Sequence, residues 1–247
     1  MAFRRLFNKE ARSLFPLYAV FLAAVVLLHF FILYKSSKWD DDAFVVLAVV
    51  LPGMFAAVIA IGAGYYQLQS EWRTNSIYLL MSLPVRGWRV LLAKLTANMV
   101  LLIGTTAGMA ASFVLILLRD KWSEWRAADA VPPALPTLLN VALQIFWMSA
   151  LVLFFLLVLV QFAYLCGQLV SKLKWVVVAA AFLGVLWLAL RVSPLIADLL
   201  LWMPDIYFGG EDTGVSYLHS GPFLALLLMG TGLAWLNGVL FEKVVEV

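Results

Sequence analysis

Three observations predict an all-α integral membrane fold with six transmembrane helices. Of the 247 residues, 65% are apolar and 13% charged, a balance unlike that of any water-soluble domain of this size. The apolar residues gather into six runs, most close to the about 20 residues that a helix needs to cross a bilayer core. None of these runs alternates with a period of two, so a barrel is excluded and helices remain as the way to satisfy the backbone in lipid.

The runs cover residues 14–34, 43–66, 95–118, 137–166, 175–190 and 223–240. Arg4 and Arg5 precede the first, which is longer than the apolar core of a signal peptide. It ends in Tyr34 and Lys35 without a small-residue cleavage pattern, so it is expected to stay as an anchor. Ahead of it, Phe3, Leu6, Phe7, Ala11, Leu14 and Phe15 follow a 3.6-residue period, with Arg4, Arg5, Asn8, Lys9 and Arg12 off that stripe. Residues 1–13 therefore read as an amphipathic helix at the membrane interface. Glu10 falls on its apolar side and is either held against another element or exposed at the terminus.

Orientation follows from the basic residues. With the N-terminus inside, 11 of the 17 Lys and Arg face the cytoplasm and 10 of the 14 acidic residues face outward, which places both termini in the cytoplasm. The net charge of +3 is thus a topology signal. No basic stripe with interleaved aromatics suggests nucleic acid as a partner. The single Cys166 offers neither a disulfide nor a thiolate metal site.

No soluble insertion large enough for a second domain interrupts the chain. The cytoplasmic loop 67–94 carries Glu71, Trp72 and Arg73, then a short apolar helix ending before Pro84. Leu79, Leu80 and Leu83 form its stripe, which suits a docking surface or a helix lying on its own bilayer. In the outer segment 191–221, Ser193 and Pro194 interrupt the fifth run and Ile196 resumes it. A short helix at or in the outer leaflet is expected there, or else a bent fifth helix with a long loop.

The runs hold no Asp or Glu, which disfavours ion-coupled carriers, whose coupling group usually sits near the midplane. Their polar residues include His29, Asn98, Asn140, Gln144, Gln161, Asn237, Thr105 and Thr106. Interhelical hydrogen bonding is the ordinary use of such groups, and Asn98, Asn140, Gln144 and Gln161 are candidates for lining a path. Gly104 and Gly108 form a small-residue pair suited to close helix approach. His29 and His219 are the only histidines, and no zinc-protease, nucleophile-elbow or phosphate-loop motif occurs. No catalytic, metal or cofactor residue is therefore assigned, and the chain is not expected to be an enzyme.

The stretch from Glu71 through Arg73, Ser76, Leu80, Ser82, Pro84, Val85 and Arg86, followed by Lys94, resembles the first cytoplasmic loop of ABC type-2 permeases. That loop is commonly written E-x-R-x-x-T-x-x-x-L-x-S-x-P-V. Here Ser76 stands for the Thr, Asn75 for a common Gly and Tyr78 for a frequent acidic residue. The six spans, the N-terminal amphipathic helix with its Glu and the broken outer segment are similar to that family as well.

The resemblance implies an exporter in the plasma membrane, in which two permease subunits, identical or homologous, pair and dock separate cytoplasmic ATPase subunits. ATP and Mg would then sit on the partner. Leu79, Leu80, Ser82, Leu83, Pro84, Val85 and Arg86 would form the coupling helix seated in the ATPase, and Glu71 and Arg73 would brace that loop against Glu10. An ATP-independent membrane scaffold or sensor, or an intramembrane enzyme using His29 or His219, are the competing readings.

Overall fold

The computed structural model describes residues 2–35, 46–74, 86–127, 134–170, 172–210 and 214–245. Helix α1 runs over Ala2–Lys35. A π-helical turn, Val46–Val50, leads into α2 at Leu51–Arg73. Helices α3 (Gly87–Ala127), α4 (Ala134–Gln168) and α5 (Lys174–Leu199) follow. A hairpin of β1 (Asp205–Gly210) and β2 (Gly214–His219) then leads to α6, Gly221–Val245.

Each helix contains a stretch long and apolar enough to cross a membrane, six in all among the described residues. The fold class expected from composition holds at that level. The helices overrun the apolar stretches that identified them. At 1.5 Å per residue, the 41 residues of α3 extend about 60 Å, twice a bilayer core of about 30 Å. Pro52 lies where the π-helical turn passes into α2, and the carbonyl four residues before it, that of Ala48, lies 2.8 Å from His29 Nε2, which replaces the N–H that proline lacks.

Two packed groups build the bundle. In the first, α1 and α3 run side by side in the same direction. Leu6 meets Val90 and Ala93 at one end. Leu14, Tyr18 and Val25 meet Leu102, Met109 and the small face of α2, Ala56, Ala60 and Ala63, further along. In the second, α4 packs on α5 through Phe155, Leu159 and Ala189, with Leu226 and Met229 of α6 against them. Leu95 of α3 joins Leu157 and Val158 of α4 between the two groups. Helix α5 buries the smallest share of its apolar surface of the six. Its Leu183, Trp187, Leu188, Leu195 and Leu199 are all exposed.

The structure departs from the sequence reading in three places. Residues 3–15 are not a separate helix. They are the first turns of α1, continuous through Pro16, and the side chains they bury are Leu6, Glu10 and Leu14, while Phe3 and Phe15 are exposed. Packing against α3, rather than the widest apolar arc, selects the buried face. The fifth span is likewise unbroken at Pro194, and α5 continues to Leu199. Proline deletes one N–H, but a helix already in place tolerates the loss and passes on.

The short outer helix expected from Ile196 is instead the last turn of α5, as in the alternative of a fifth helix that continues, and the β1–β2 hairpin follows where that alternative had a long loop. Tyr207 pairs with Tyr217 and Asp205 with His219. Gly209 at φ 99 supplies the left-handed conformation that a side chain resists. At the other end of the bundle, 67–73 and 87–94 are helical turns of α2 and α3, so the connection between the helices is confined to 74–86.

Candidate functional site

The candidate site lies at the bundle end that carries the 74–86 connection. Glu10 of α1, Gln67 and Glu71 of α2 and Lys94 of α3 converge there. Positions 67 and 71 are one turn apart, so both point to the same side of α2. Glu10 shares a helix face with Leu14 and Tyr18, which carries it into the seam with α3.

Lys94 is 1% exposed, Glu71 5% and Glu10 6%. The Lys94 Nζ lies 2.9 Å from Glu71 Oε1 and 3.1 Å from Glu10 Oε1. It also donates to the Gln67 carbonyl at 3.4 Å. An ammonium has three N–H donors, and here it meets three acceptors on two other helices. The Gln67 side-chain amide donates to Glu10 Oε2 at 3.1 Å. Lys9, more exposed, lies 3.4 Å from Glu71 and 3.6 Å from Glu10. Two carboxylates and two ammonium groups leave the cluster neutral, the condition under which charges this deeply buried persist.

The neighbours of Glu71 in the loop motif point elsewhere. About 100° of turn per residue sends Trp72 to a different face of α2. There its ring stacks edge-on against Tyr164 of α4 at 5.4 Å and Phe241 of α6 at 5.9 Å, while Tyr65 meets Tyr164 at 5.3 Å. Such aromatic pairs contribute about 0.5–1.5 kcal/mol each beyond area burial. The root of the 74–86 connection is therefore fastened to both groups of the bundle, by Glu71 to α1 and α3 and by Trp72 to α4 and α6.

Of the bracing residues named from sequence, Glu10 and Glu71 are brought together, joined through Lys94. Arg73 is exposed, and among the described residues no carboxylate pairs with it. Of the docking residues, Arg86 is exposed just before α3. Leu79, Leu80, Ser82, Leu83, Pro84 and Val85 lie outside the described residues.

Two further polar ties follow along the α1–α3 seam. Tyr18 donates its hydroxyl to Asn98 Oδ1, and Asn98 Nδ2 donates to the Ala60 carbonyl at 2.9 Å. Close to the hairpin end, His29 is buried with Nε2 2.8 Å from the Ala48 carbonyl and Nδ1 2.6 Å from Ser112 Oγ. A carbonyl only accepts, so Nε2 carries the proton. Lys94, Asn98, Thr105 and Ser112 fall on one face of α3, as Glu10, Tyr18 and His29 do on α1. These ties fix the two helices and α2 in one register at three depths, with the apolar cluster around Leu14, Val25, Leu102 and Met109 between them.

The four residues suggested for a path do not converge. Asn98 is committed to the seam. Gln161 is buried, with its amide directed at the Leu91 carbonyl at 3.5 Å. Gln144 accepts from Trp147 on its own helix, and Asn140 Oδ1 is buried with no hydrogen-bond partner among the described residues. Asn140 and Gln161 are about 30 Å apart along α4. Asn237, fully buried on α6, donates to the Val158 carbonyl at 3.0 Å.

Sequence reasoning did not assign roles to Lys9, Gln67, Trp72 and Tyr18. A signal for two of these ties was present. Lys94 stands one turn before Asn98 at the start of an apolar run, and Gln67 stands one turn before Glu71. In comparison with known proteins, no family model, curated protein or solved structure matches this chain.

Proposed function

We propose that this chain is the membrane-spanning permease subunit of an ABC-type exporter, forming the path and docking a separate cytoplasmic ATPase through its first cytoplasmic loop. The observation that carries the reading is the position of the Glu10, Glu71 and Lys94 cluster. It ties the root of the loop with the E-x-R and S-x-P-V pattern to two spanning helices, where a force on the loop would be transmitted. Glu71 and Trp72 precede the 74–86 connection by a few residues and Lys94 follows it within α3, so movement of the loop would act on both groups of the bundle.

In this reading both termini and the loop are cytoplasmic, the first turns of α1 lie in the headgroup layer, and the hairpin faces outward. The bias of Lys and Arg toward one side supports that orientation. The chain lies in the plasma membrane and pairs with a second permease, identical or homologous. ATP and Mg are held by the partner ATPase, and closure of the ATPase pair biases the permease between two arrangements with different affinity for the cargo.

The test is a pull-down of detergent-solubilised chain with the ATPases of its own cell, comparing wild type with a Leu83→Glu, Arg86→Glu double variant. Co-purification of an ATPase with wild type and its loss from the variant supports the exporter reading. Absence of an ATPase from both refutes it and leaves an ATP-independent scaffold or sensor.

A further inference from the structure

Beyond Lys174 at its start, helix α5 carries two charged residues, Arg191 and Asp198, on a surface that the rest of the bundle leaves uncovered. Trp187, Arg191, Leu195 and Asp198 succeed one another at intervals of three or four, so they form one stripe. Both charged residues are exposed, as are Trp187 at 61%, Leu195 at 63% and, in the turn after the helix, Trp202 at 75%. The Arg191 guanidinium lies over the Trp187 ring, 5.7 Å from its centre. Neither Arg191 nor Asp198 has an ion-pair partner among the described residues.

An arginine on a span needs a counter-charge, because a bare guanidinium in hydrocarbon is costly. Arg191 stands eight residues before the end of α5, about 12 Å along the axis. In the structure its guanidinium packs back over Trp187, one turn farther from the helix end, and swinging the flexible stem along the apolar surface carries it toward the headgroup layer. A planar guanidinium with five donors matches phosphate oxygens in bidentate fashion. Asp198 lies about 10 Å nearer the helix end on the same stripe. The order, cation deeper and anion further out, is the complement of a phospholipid headgroup whose phosphate sits next to the glycerol and whose ammonium lies beyond it.

We infer that α5 holds a zwitterionic phospholipid of the leaflet on the hairpin side, with its phosphate on Arg191 and its ammonium on Asp198. A carboxylate accepts hydrogen bonds, so a primary ammonium is favoured over a quaternary one. A headgroup with a net negative charge meets repulsion at Asp198. The inference does not depend on the exporter reading and does not require an ATPase.

Native mass spectrometry of the full chain, released from micelles supplemented in turn with phosphatidylethanolamine, phosphatidylcholine and phosphatidylglycerol, tests it. Wild type is expected to retain phosphatidylethanolamine most strongly. Arg191→Gln is expected to lower retention of all three lipids about tenfold, the effect of losing one charge-assisted contact. Asp198→Asn is expected to lower phosphatidylethanolamine retention and to raise that of phosphatidylglycerol, so that the preference among the three lipids is lost. Both side chains are exposed, and unchanged helical circular dichroism would show that the variants fold. Equal retention of the three lipids by wild type, or undiminished retention by Arg191→Gln, overturns the proposal. Displacement of the lipid by millimolar inorganic phosphate also overturns it, since the site would then read phosphate without a headgroup.

Discussion

Replacing Lys94 with Met tests the packing logic of the buried cluster most directly. The substitution keeps most of the side-chain volume but removes the ammonium that lies 2.9 Å from Glu71 and 3.1 Å from Glu10. At an effective dielectric of about 20, one ion pair at such a distance is worth about 5 kcal/mol of Coulomb attraction. Desolvation of the lysine offsets part of it. Removing one member of a buried pair costs about 3–5 kcal/mol, because the remaining charge stays buried. Here two carboxylates would remain, with the largely exposed Lys9 as their nearby cation, so the upper part of that range is expected.

The assay is reversible unfolding in mixed micelles, followed by circular dichroism. Lys172→Met, at an exposed position, serves as the control and is expected to stay within about 0.5 kcal/mol of wild type. A triple variant, Lys94→Met with Glu10→Gln and Glu71→Gln, is expected to recover most of the loss, because a buried charge set removed as a whole takes its desolvation cost with it. A loss below about 1 kcal/mol for Lys94→Met, or a triple variant no more stable than the single one, would refute the reasoning.

Other perturbations have similarly defined outcomes. Asn98→Leu strands the Tyr18 hydroxyl and is expected to cost about 1–3 kcal/mol, whereas Tyr18→Phe combined with it should add little, as a double-mutant cycle would show. Trp72→Ala empties the contact with Tyr164 and Phe241 and is expected to cost about 3 kcal/mol; the same unfolding assay reads it. A methyl group at Gly238 would lie 2.8 Å from Trp88 Cβ, whereas at Gly53 it would meet nothing within 4 Å. Gly238→Ala should therefore destabilise by about 1–3 kcal/mol, and Gly53→Ala should stabilise by about 0.4–1 kcal/mol. For orientation, a cysteine replacing Ser216 of the hairpin in a Cys166→Ala background should react with an impermeant maleimide on intact cells. One replacing Lys243 should react only after lysis, and the reverse pattern would overturn the topology.

The number of long helices and their approximate positions were legible because each depends on a local property. A run of about 20 apolar side chains is sufficient to demand a helix in lipid. Glu10 was legible in part, since its place on an apolar stripe can be read from periodicity. Whether it is buried cannot be read that way, because burial depends on the element that covers the stripe. The β1–β2 hairpin was carried by a weak signal, two short runs rich in aromatic and β-branched residues around glycines, and the apolar segment before it drew the reading toward a helix. The unbroken passage of α5 through Pro194 was equally hidden, since the residue penalises a helix locally and only its context decides the outcome.

The sequence by itself therefore determined the membrane class, the six long helices and the residues available for polar contacts within them. It also placed Glu71, Trp72 and Arg73 beside a loop. Only the tertiary structure decided that Glu71 turns toward Lys94 and Glu10, that Trp72 turns toward Tyr164 and Phe241, and that Arg73 faces out. The same holds for the ties from Tyr18 to Asn98 and from His29 to Ser112. Apolar periodicity marks the faces of a helix that can be buried, but it leaves free the covering neighbour, and with it the face actually buried, and the axial register. In this bundle those two freedoms are removed by a few buried polar groups that find partners in one arrangement of α1, α2 and α3.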